Sequence, residues 1–400
     1  MARTSEQWQA TPGVRDTHYI DNRIYTSHQI YEEEKRNIFA KVWQLVCHES
    51  ELREVYSFRT LDLVGTPLIL IRGTDNRIRC FLNACSHRGA KIVSARRGNA
   101  RVLTCPFHLW AYDSAGRCTS ITRPDASLAG GCKKDDLGLR EIKAEVRKGL
   151  VFVCLDDHAQ ALDEYLDNCL EPLNPLLLTE PMEVYHYSEV IISANWKNWQ
   201  EVNSELYHEY LHVINRRTSM TQLGYYDRPW TFHKNGHGTI LGGLIIDYSK
   251  HPTAPKKRTG KVLPGLKPNE YMAIDLWPNV AFVVRDSGLR FDIVSPIAPN
   301  KTLIQFRALA PVSDTKEERT AREKDHNEFW GPFGRNVPED IRAAVLQNQA
   351  MTTGQVPYSL IAREEGGQTQ DEVTLRNYYA QWSRRMARRY NNIDLPASSA

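Results

Sequence analysis

Two short stretches of the chain carry side chains that bind metals. Cys85-Ser-His87 and Cys105-Pro-Phe-His108 each offer one thiolate and one imidazole. Seventeen residues separate His87 from Cys105, which is enough for a hairpin that returns the second loop to the first. Thiolates and imidazoles are ligands of zinc and of iron–sulfur clusters. The spacing therefore predicts a single metal site that is built by two loops.

The arrangement of these ligands discriminates between the two kinds of site. A mononuclear zinc ion can use the same four side chains, but zinc fingers usually supply the cysteines as one pair and the histidines as another. Here each loop is mixed, in the pattern C-x-H-x17-C-x2-H, which is the Rieske motif. A [2Fe–2S] cluster with two cysteines on one iron and two histidines on the other suits mixed loops, and its potential exceeds that of an all-cysteine ferredoxin. The pattern favours the cluster over zinc.

A second group of candidate ligands lies between residues 195 and 212. The periodicity predicts a helix from about 196 to 214, on which Glu201, Glu205, His208 and His212 share one face at i, i+4, i+7 and i+11. Histidines at i and i+4 can bind one metal ion, although such pairs are more often exposed to solvent. An electron-donating cluster implies an electron acceptor, which favours the metal-binding interpretation.

The third ligand of such a site is expected to be a carboxylate. A mononuclear non-haem Fe(II) usually takes two histidines and one carboxylate, which leaves positions for O2 and substrate. Asp340 is the candidate, since Pro338-Glu339-Asp340 marks the predicted start of a helix, where acidic residues are favoured. A helix-start carboxylate without a metal role is the alternative interpretation.

The elements around these residues predict an α+β protein. A chain of 400 residues is too long for a cluster domain alone, which needs about 100 to 150 residues. Short alternating runs predict strands on both sides of the cluster loops, at 57–61, 66–72, 77–82, 101–104 and 149–154. We expect an N-terminal helical segment (1–38) packed on the catalytic domain, an all-β Rieske domain (39–157) and a catalytic domain (158–400).

The catalytic domain is predicted to combine helices with an antiparallel sheet. Its predicted strands are 183–193, 238–248, 270–275, 280–285, 289–295 and 302–309, and its predicted helices are 196–214, 315–330, 338–350 and 370–389. The Pro-rich, basic stretch 251–261 is predicted to be a loop, either a lid or an ordinary surface loop.

Composition and charge give no indication of a nucleic-acid or membrane partner. Lys plus Arg number 51 and Asp plus Glu number 48, a net charge of +3 that predicts neither nucleic-acid nor membrane-surface binding. The N-terminus is polar and no window of about 18 apolar residues occurs, so we expect a cytoplasmic protein without a membrane segment. The remaining cysteines are interpreted as reduced structural thiols: Cys47, Cys80, Cys118, Cys132, Cys154 and Cys169.

The chain resembles the Rieske non-haem iron oxygenases, specifically the large (alpha) subunits of bacterial aromatic-ring-hydroxylating oxygenases. The resemblance rests on CSHRG at 85–89, CPFHLW at 105–110, NWK-x3-E-x3-E-x-YH at 195–208, GP…ED ending at Asp340, and DEVTLRNYYAQW at 371–382. The last segment is similar to the tails of salicylate-, anthranilate- and terephthalate-type enzymes. The resemblance implies a helix-grip catalytic domain. It also implies a cluster held by Cys85, His87, Cys105 and His108, and Fe(II) held by His208, His212 and Asp340.

The resemblance also implies partners. The sequence has no nucleotide-binding glycine fingerprint, so NAD(P)H electrons must come through a separate reductase, with or without a ferredoxin. A homotrimer, or an α3β3 assembly with a small subunit, is implied, in which electrons pass from the cluster of one protomer through Glu205 to His208 of the next. The expected reaction is hydroxylation or cis-dihydroxylation of an aromatic substrate that carries a carboxylate.

The chain departs from the family pattern at three positions. Only three residues separate His208 from His212 instead of four, which predicts a more regular helix around the iron. Glu205 stands where the family usually has Asp, as in oxygenases of quaternary amines such as carnitine and betaine. Leu109 replaces the small residue that usually follows the second cluster histidine.

Three functions therefore remain open at the level of sequence. An aromatic-acid oxygenase needs an arginine for the carboxylate, for which the candidates are Arg285, Arg290, Arg307 and Arg376. A quaternary-amine oxygenase needs an aromatic cage, for which Tyr225, Trp230 and Trp277 are candidates. A simple electron carrier would hold about two irons per chain instead of about three, and it would not need the second group of ligands.

Overall fold

The computed structural model describes residues 2–213, 228–244, 260–268, 270–331 and 333–396. The chain forms two compact units: Phe39–Leu162 is one, and Met1–Ile38 together with Asp163–Ala400 is the other. The first unit thus ends at 162, against 157 expected from the sequence. Trp43 Nε1 donates to the carbonyl of Gln160 (2.9 Å) and Lys143 Nζ to that of Ala159 (3.1 Å), which holds these additional residues in the unit.

The strands pair in antiparallel fashion and are numbered in chain order. They are β1 (Tyr19–Asp21), β2 (Gln44–His48), β3 (Ser57–Leu63), β4 (Thr66–Arg72), β5 (Ile78–Leu82), β6 (Arg97–Asn99), β7 (Leu103–Thr104), β8 (Ala111–Tyr112), β9 (Cys118–Ser120), β10 (Glu141–Arg147), β11 (Leu150–Cys154), β12 (Met182–Ile192), β13 (Trp230–Phe232), β14 (Gly238–Leu244), β15 (Glu270–Leu276), β16 (Val280–Arg285), β17 (Gly288–Ala298), β18 (Lys301–Pro311), β19 (Tyr358–Leu360), β20 (Arg388–Arg389) and β21 (Asn392–Pro396).

The helices are concentrated outside the Phe39–Leu162 unit. Among the described residues, the α-helices are Ser5–Gln9, Arg23–Thr26, His28–Glu34, Pro124–Ser127, Leu162–Leu166, Asn174–Leu177, Trp196–Ser204, Lys316–Asp325, Val337–Met351 and Val373–Met386. The 3-10 helices are Asp16–His18, Glu49–Leu52, Lys134–Leu137, Glu171–Leu173, Tyr207–Leu211 and Lys234–Gly236, and the π-helices are Lys35–Phe39 and His326–Trp330. The predicted α+β class is confirmed.

The Phe39–Leu162 unit is built on a seven-stranded sheet with the order β2-β11-β10-β5-β4-β3-β6, accompanied by the three-stranded sheet β7-β8-β9. Strand β4 shows how the sequence specifies it. Leu68 and Leu70 belong to one hydrophobic core, whereas Ile69 and Ile71 belong to another. Because alternate residues of a strand point to opposite faces, β4 is covered on both sides. The core around Ile69 also contains the candidate ligands Cys85 and Cys105.

The larger unit is built on a second seven-stranded sheet, β12-β18-β17-β16-β15-β14-β13. Helix Trp196–Ser204 packs on strands β16 to β18 and against helices Val337–Met351 and Val373–Met386. The helix begins after Asn195, whose side chain accepts a hydrogen bond from the backbone N–H of Lys197. A helix packed on a sheet and enclosed by two further helices is nearly all buried, which explains why its polar residues need partners inside the unit.

The N-terminal segment supplies part of those partners. The buried carboxylate of Glu34 accepts from Trp196 Nε1 (2.8 Å), from Lys197 Nζ (2.7 Å) and from Trp382 Nε1 (2.8 Å). Lys197 is fully buried, and a buried ammonium is tolerated only when it is paired and hydrogen-bonded. Glu34 therefore fixes the start of helix Trp196–Ser204 against both the N-terminal and the C-terminal helices.

Candidate metal centres and active site

The two cluster loops have the same backbone geometry. In each loop the cysteine N–H donates to the carbonyl five residues later, and the N–H four residues later donates to the cysteine carbonyl. The bonds are Cys85 N to Ala90 O (2.8 Å), Gly89 N to Cys85 O (2.8 Å), Cys105 N to Trp110 O (2.8 Å) and Leu109 N to Cys105 O (3.1 Å). Gly89 and Leu109 occupy the same position of the turn, with φ of 73° and 60°. The departure from the family pattern at Leu109 thus places a branched side chain where the turn requires positive φ.

The four candidate ligands divide into a buried and a more exposed pair. Cys85 and Cys105 are 4% and 1% exposed, whereas His87 is exposed and His108 is partly buried. The Nδ1 atoms of the two histidines lie 3.1 Å apart, and the ring of His87 stacks on Trp110 with centroids 4.8 Å apart. The Nδ1 atoms of both imidazoles therefore face the same point. This division matches a cluster in which one iron takes the thiolates and the other takes the imidazoles.

Tyr112 is a residue of this site that the sequence analysis missed. Its hydroxyl lies 3.1 Å from Cys85 Sγ and accepts the backbone N–H of Ser86 at 3.1 Å. Burial raises the pKa of Tyr112, and the contact with Cys85 raises it further, so the phenol stays protonated and can donate to the sulfur. A hydrogen bond to a ligating sulfur tunes a cluster's potential. The signal for Tyr112 in the sequence was its position two residues after Trp110. Tyr112 lies on β8, the strand that follows the second cluster loop.

The second centre brings together the three residues that were predicted to bind Fe(II). Asp340 Oδ1 lies 3.8 Å from His208 Nε2 and 3.5 Å from His212 Nε2. Among the described residues this oxygen is buried and has no hydrogen-bond partner. A buried carboxylate oxygen without a partner is costly. A cation bound between the two imidazoles and the carboxylate would satisfy it, so the donor set fits a two-histidine, one-carboxylate iron site.

The predicted helix through these residues is wrong in its second half. The α-helix ends at Ser204, Glu205 is extended (φ −139°, ψ 146°), and a 3-10 helix follows over Tyr207–Leu211. The Glu205 carboxylate accepts the backbone N–H of His208 (3.0 Å), and Ser204 Oγ donates to the carbonyl of Gln200 (2.9 Å). Such side-chain bonds to the backbone compete with a continuous helix. The shortened histidine spacing therefore occurs in a broken segment and not in a more regular helix.

Each histidine that faces Asp340 is held at its other ring nitrogen. His208 Nδ1 lies 2.7 Å from the carbonyl oxygen and 3.2 Å from Oε1 of Glu205, and His212 Nδ1 lies 2.9 Å from Glu339 Oε2. Burial lowers the pKa of His208, but the Glu205 carboxylate outweighs it and raises the pKa to about 9. Burial raises the pKa of Asp340 to about 7. The sequence analysis named Glu205 but gave no role to Glu339.

Glu201 does not share this site. It lies on the helix that ends at Ser204, and its carboxylate accepts from the hydroxyls of Tyr25 and Tyr379. Burial raises the pKa of Glu201 to about 7, against the opposing effect of the two phenols. The predicted face with Glu201, Glu205, His208 and His212 in line is therefore replaced by two separate clusters, because the backbone turns away at Glu205.

A cavity lies beside the three candidate iron ligands. Two arginines, Arg285 and Arg290, line it together with Tyr271 and Phe282. Arg290 is also paired with the buried Asp292, with Nε 2.8 Å from Oδ1. The cavity thus combines apolar and aromatic walls with guanidinium groups at the metal centre, which suits a small aromatic anion.

The structure separates the four arginine candidates. Arg307 is fully buried between the rings of Tyr187 and Phe291, with centroids 5.0 and 5.8 Å from its Cζ, and Arg376 binds Asp371 at 2.8 Å. Neither residue lines the cavity, so Arg285 and Arg290 remain as candidates.

The described candidates for a cation cage, Trp230 and Trp277, do not line this cavity. Trp230 and Trp277 are 6% and 1% exposed, and neither lines the cavity beside the iron ligands. Tyr225, like the predicted loop at 251–259, lies outside the described residues. Of the described cage candidates, therefore, none is placed to hold an ammonium group at the metal centre.

Comparison with protein families decides the identity. Residues 42–138 match the Rieske [2Fe-2S] domain, and residues 177–388 match the ring hydroxylating alpha subunit (catalytic domain). The chain belongs to the ring-hydroxylating oxygenase alpha subunits. It is a Rieske-type mono- or dioxygenase, as the sequence analysis predicted, and its two domains imply a [2Fe–2S] cluster and a catalytic iron.

Two relatives of this oxygenase are similar along nearly their whole length. It is 43% identical to the alpha subunit of 2-aminobenzenesulfonate 2,3-dioxygenase from Alcaligenes sp., over 98% of this chain and 100% of the relative. It is 38% identical to the hydroxylase alpha subunit of methanesulfonate monooxygenase from Methylosulfonomonas methylovora, over 99% and 97%. Naphthalene 1,2-dioxygenase from Rhodococcus sp. shares the fold, with a TM-score of 0.78 at 20% identity, over 92% and 94% of the two chains.

Within the described parts of the oxygenase, none of the helices combines the length and the apolarity that a membrane crossing requires.

Proposed function

We propose that this protein is a terminal oxygenase that hydroxylates or cis-dihydroxylates a small anionic aromatic compound, an aromatic sulfonate or its carboxylate analogue. The observation that carries the proposal is the cavity beside His208, His212 and Asp340, because Arg285 and Arg290 line that same cavity.

The relatives favour the sulfonate over the carboxylate that the sequence analysis expected. The two relatives described above are named for 2-aminobenzenesulfonate and methanesulfonate. A sulfonate stays ionised at every physiological pH and offers three acceptor oxygens, so two guanidinium groups can bind it with charge-assisted hydrogen bonds. Tyr271 and Phe282 provide apolar and aromatic contact for the ring.

The residues of the metal centre have separate tasks in this proposal. His208, His212 and Asp340 hold Fe(II), which when bound supplies the activation of O2. The backbone carbonyl and the carboxylate of Glu205 together keep the proton of His208 on Nδ1, so that Nε2 faces the metal. Arg285 and Arg290 orient the anionic end of the substrate, which fixes the ring carbons that face the iron.

Electrons are proposed to come from a separate NAD(P)H-dependent reductase, with or without a ferredoxin. Cys85, His87, Cys105 and His108 hold the cluster, and the exposed His87 marks its accessible side. In the proposed homotrimer or α3β3 assembly, the cluster of one protomer serves the iron of the next through Glu205. The side chains of Phe107 and Leu109 beside the cluster are 56% and 61% exposed, as expected for a surface that a partner covers.

Oxidation of a quaternary amine is the second candidate function, and Glu205 favours it. The cavity opposes it, because Arg285 Cζ lies 5.3 Å and Arg228 Cζ 4.9 Å from the ring centroid of Tyr271. Two guanidinium groups thus lie next to the aromatic ring that a trimethylammonium group would need, and their positive charges would repel the ammonium group.

The test is NADH-driven O2 uptake by the iron-loaded protein with a promiscuous reductase, with products identified by mass. The substrates are 2-aminobenzenesulfonate, methanesulfonate, anthranilate, salicylate, benzoate, phthalate isomers, carnitine and betaine. Oxygenated aromatic sulfonates or carboxylates are expected, and their masses distinguish one oxygen atom from two. Turnover of carnitine or betaine alone would reject the anionic-ring proposal. Iron analysis of the same preparation should give about three irons per chain, since about two would indicate an electron carrier.

A further inference from the structure

Glu339 contacts one imidazole of the metal centre and has no role in the proposal above. Its Oε2 lies 2.9 Å from His212 Nδ1, and its Oε1 accepts the backbone N–H of Val213 at 3.4 Å. Two atoms of one carboxylate thus hold both the ring of His212 and the chain that follows it. His212 is 4% exposed in its side chain, and Glu339 is 29% exposed.

Consecutive residues of one helix therefore hold opposite edges of the same ring. Helix Val337–Met351 carries Glu339 and Asp340 in its first turn. Asp340 Oδ1 faces His212 Nε2 at 3.5 Å, while Glu339 holds Nδ1. Neighbouring residues on a helix point about 100° apart, which lets one short arm and one longer arm reach the two sides of an imidazole. The helix N-terminus also stabilises two adjacent carboxylates.

The arrangement matches that of the other histidine. Glu205 accepts the backbone N–H of His208 at 3.0 Å and lies 3.2 Å from His208 Nδ1. The two glutamates thus perform the same local task on the two imidazoles, one from three residues upstream and the other from a distant helix. A carboxylate on the far nitrogen of a metal-binding imidazole fixes its tautomer and raises its basicity.

His212 has a particular need of this support. His212 directly follows the 3-10 helix Tyr207–Leu211, and its own backbone is extended, with φ −69° and ψ 121°. The backbone there does not continue in a helix that would orient the ring. An acceptor that bonds both Nδ1 and the next backbone N–H replaces that orientation.

We propose that Glu339 is a positioning residue for iron: it holds the His212 proton on Nδ1 and directs Nε2 into the metal site. This inference rests on the proposed function, because it requires Fe(II) at His208, His212 and Asp340. The carboxylate acts through the imidazole and not on the metal, so its loss weakens and reshapes the site without removing a ligand.

The experiment measures Fe(II) affinity of the full-length, cluster-loaded protein by anaerobic competition with a chelator. Glu339→Ala should weaken Fe(II) binding about 10- to 100-fold, the usual effect of removing such a partner. Glu339→Gln should give a smaller loss, because its amide oxygen still accepts from Nδ1–H but carries no charge. Glu317→Gln is the matched control: Glu317 lies exposed in the first turn of helix Lys316–Asp325, and its loss should leave affinity unchanged.

A spectroscopic readout separates positioning from general stability. The EPR spectrum of the Fe(II) site after addition of nitric oxide should change its rhombicity in both Glu339 variants but not in Glu317→Gln. Cluster absorbance shows whether each variant is folded. If Glu339→Ala does not fold, the result for Glu339→Gln tests the proposal. Wild-type affinity and an unchanged EPR spectrum in Glu339→Gln would overturn the role of Glu339 while the proposed function stands. If the wild-type protein itself bound no third iron, both would be overturned.

Discussion

The two metal centres of this oxygenase are built in opposite ways. The proposed cluster ligands come from two loops of the same backbone form, less than twenty-five residues apart in the sequence, and each loop closes on itself with two backbone hydrogen bonds. The proposed iron ligands come from the broken segment that carries His208 and His212 and from the first turn of helix Val337–Met351, which carries Asp340. The turns of the two loops hold the cluster site, whereas carboxylates that contact the imidazoles hold the iron site.

This difference predicts how each centre responds to mutation. In the cluster loops, an imidazole is fixed by the turn that carries it and by stacking, as for His87 on Trp110. At the iron, side chains that do not bind the metal fix the rings, as Glu205 and Glu339 do. Variants outside the ligand set should therefore affect the iron more than the cluster.

The largest expected effect comes from removing an iron ligand. Asp340→Ala should reduce substrate-dependent O2 uptake to below about 1% of the wild-type rate, since the loss of partners outside the ligand set already costs about 10- to 100-fold. The visible spectrum of the cluster should be unchanged, because no cluster ligand is altered. Retained turnover would contradict the assignment of Asp340 as an iron ligand, and loss of the cluster spectrum would contradict the independence of the two centres.

Glu205→Ala should have the next largest effect. Removal of the carboxylate leaves the Glu205 carbonyl as the acceptor at His208 Nδ1 and interrupts the proposed path between subunits, so turnover should fall about 10- to 100-fold while the cluster spectrum is kept and iron still loads. Glu205→Asp, the residue usual in the family, should restore part of the rate. Single-turnover reduction of the iron by the pre-reduced cluster measures the coupling directly, and a wild-type rate in Glu205→Ala would exclude the bridging role.

The same contrast explains what the sequence could predict. Strand β4 at Thr66–Arg72 was predicted to the residue, because its apolar run is bounded by turns, and the cluster ligands follow from spacing within one short segment. The iron site depends on how distant elements pack. The helix beginning near Asp340 was recognisable from Pro338 and its acidic residues, but the contact between Glu339 and His212 was not, since no local pattern specifies which acid meets which ring.

The break after Ser204 was missed for a related reason. Residues 196–212 have helical periodicity, and the histidine pair at i and i+4 strengthened the prediction of one helix. Periodicity reports which side chains are buried, but it does not report that the Glu205 carboxylate bonds the N–H of His208 and ends the helix. The available signal for this break was the carboxylate of Glu205, three residues before the candidate ligand His208.

Arg285→Ala should change substrate binding more than chemistry. Loss of one charge-assisted hydrogen bond costs about 1.5–3 kcal/mol, so KM for the anionic substrate should rise about 10- to 100-fold with a smaller change in kcat. Arg342→Ala, exposed on the helix that carries Asp340, is the matched control and should leave KM unchanged. An unchanged KM in Arg285→Ala would remove this residue from the anion site and leave Arg290 as the candidate.

The substitutions with the smallest expected effect test whether backbone geometry alone maintains the cluster loops. Gly89 and Leu109 occupy the same position of the two turns at φ 73° and 60°, where a side chain costs about 1–2 kcal/mol. Gly89→Ala should destabilise the unit by about 1 kcal/mol through φ alone, because no heavy atom lies within 4 Å of the added Cβ. Leu109→Gly should stabilise it by up to about 1 kcal/mol, because Leu109 is 61% exposed and loses little burial.

These two substitutions should shift the midpoint of urea denaturation, followed by cluster absorbance, in opposite directions. Since neither residue is a ligand, the spectrum of the folded protein should stay the same in both variants. Destabilisation by Leu109→Gly would mean that the exposed leucine makes a contact in the assembly that outweighs its backbone strain. Dilution of the protein before denaturation distinguishes these causes, because a contact between protomers weakens with dilution whereas the strain of one turn does not.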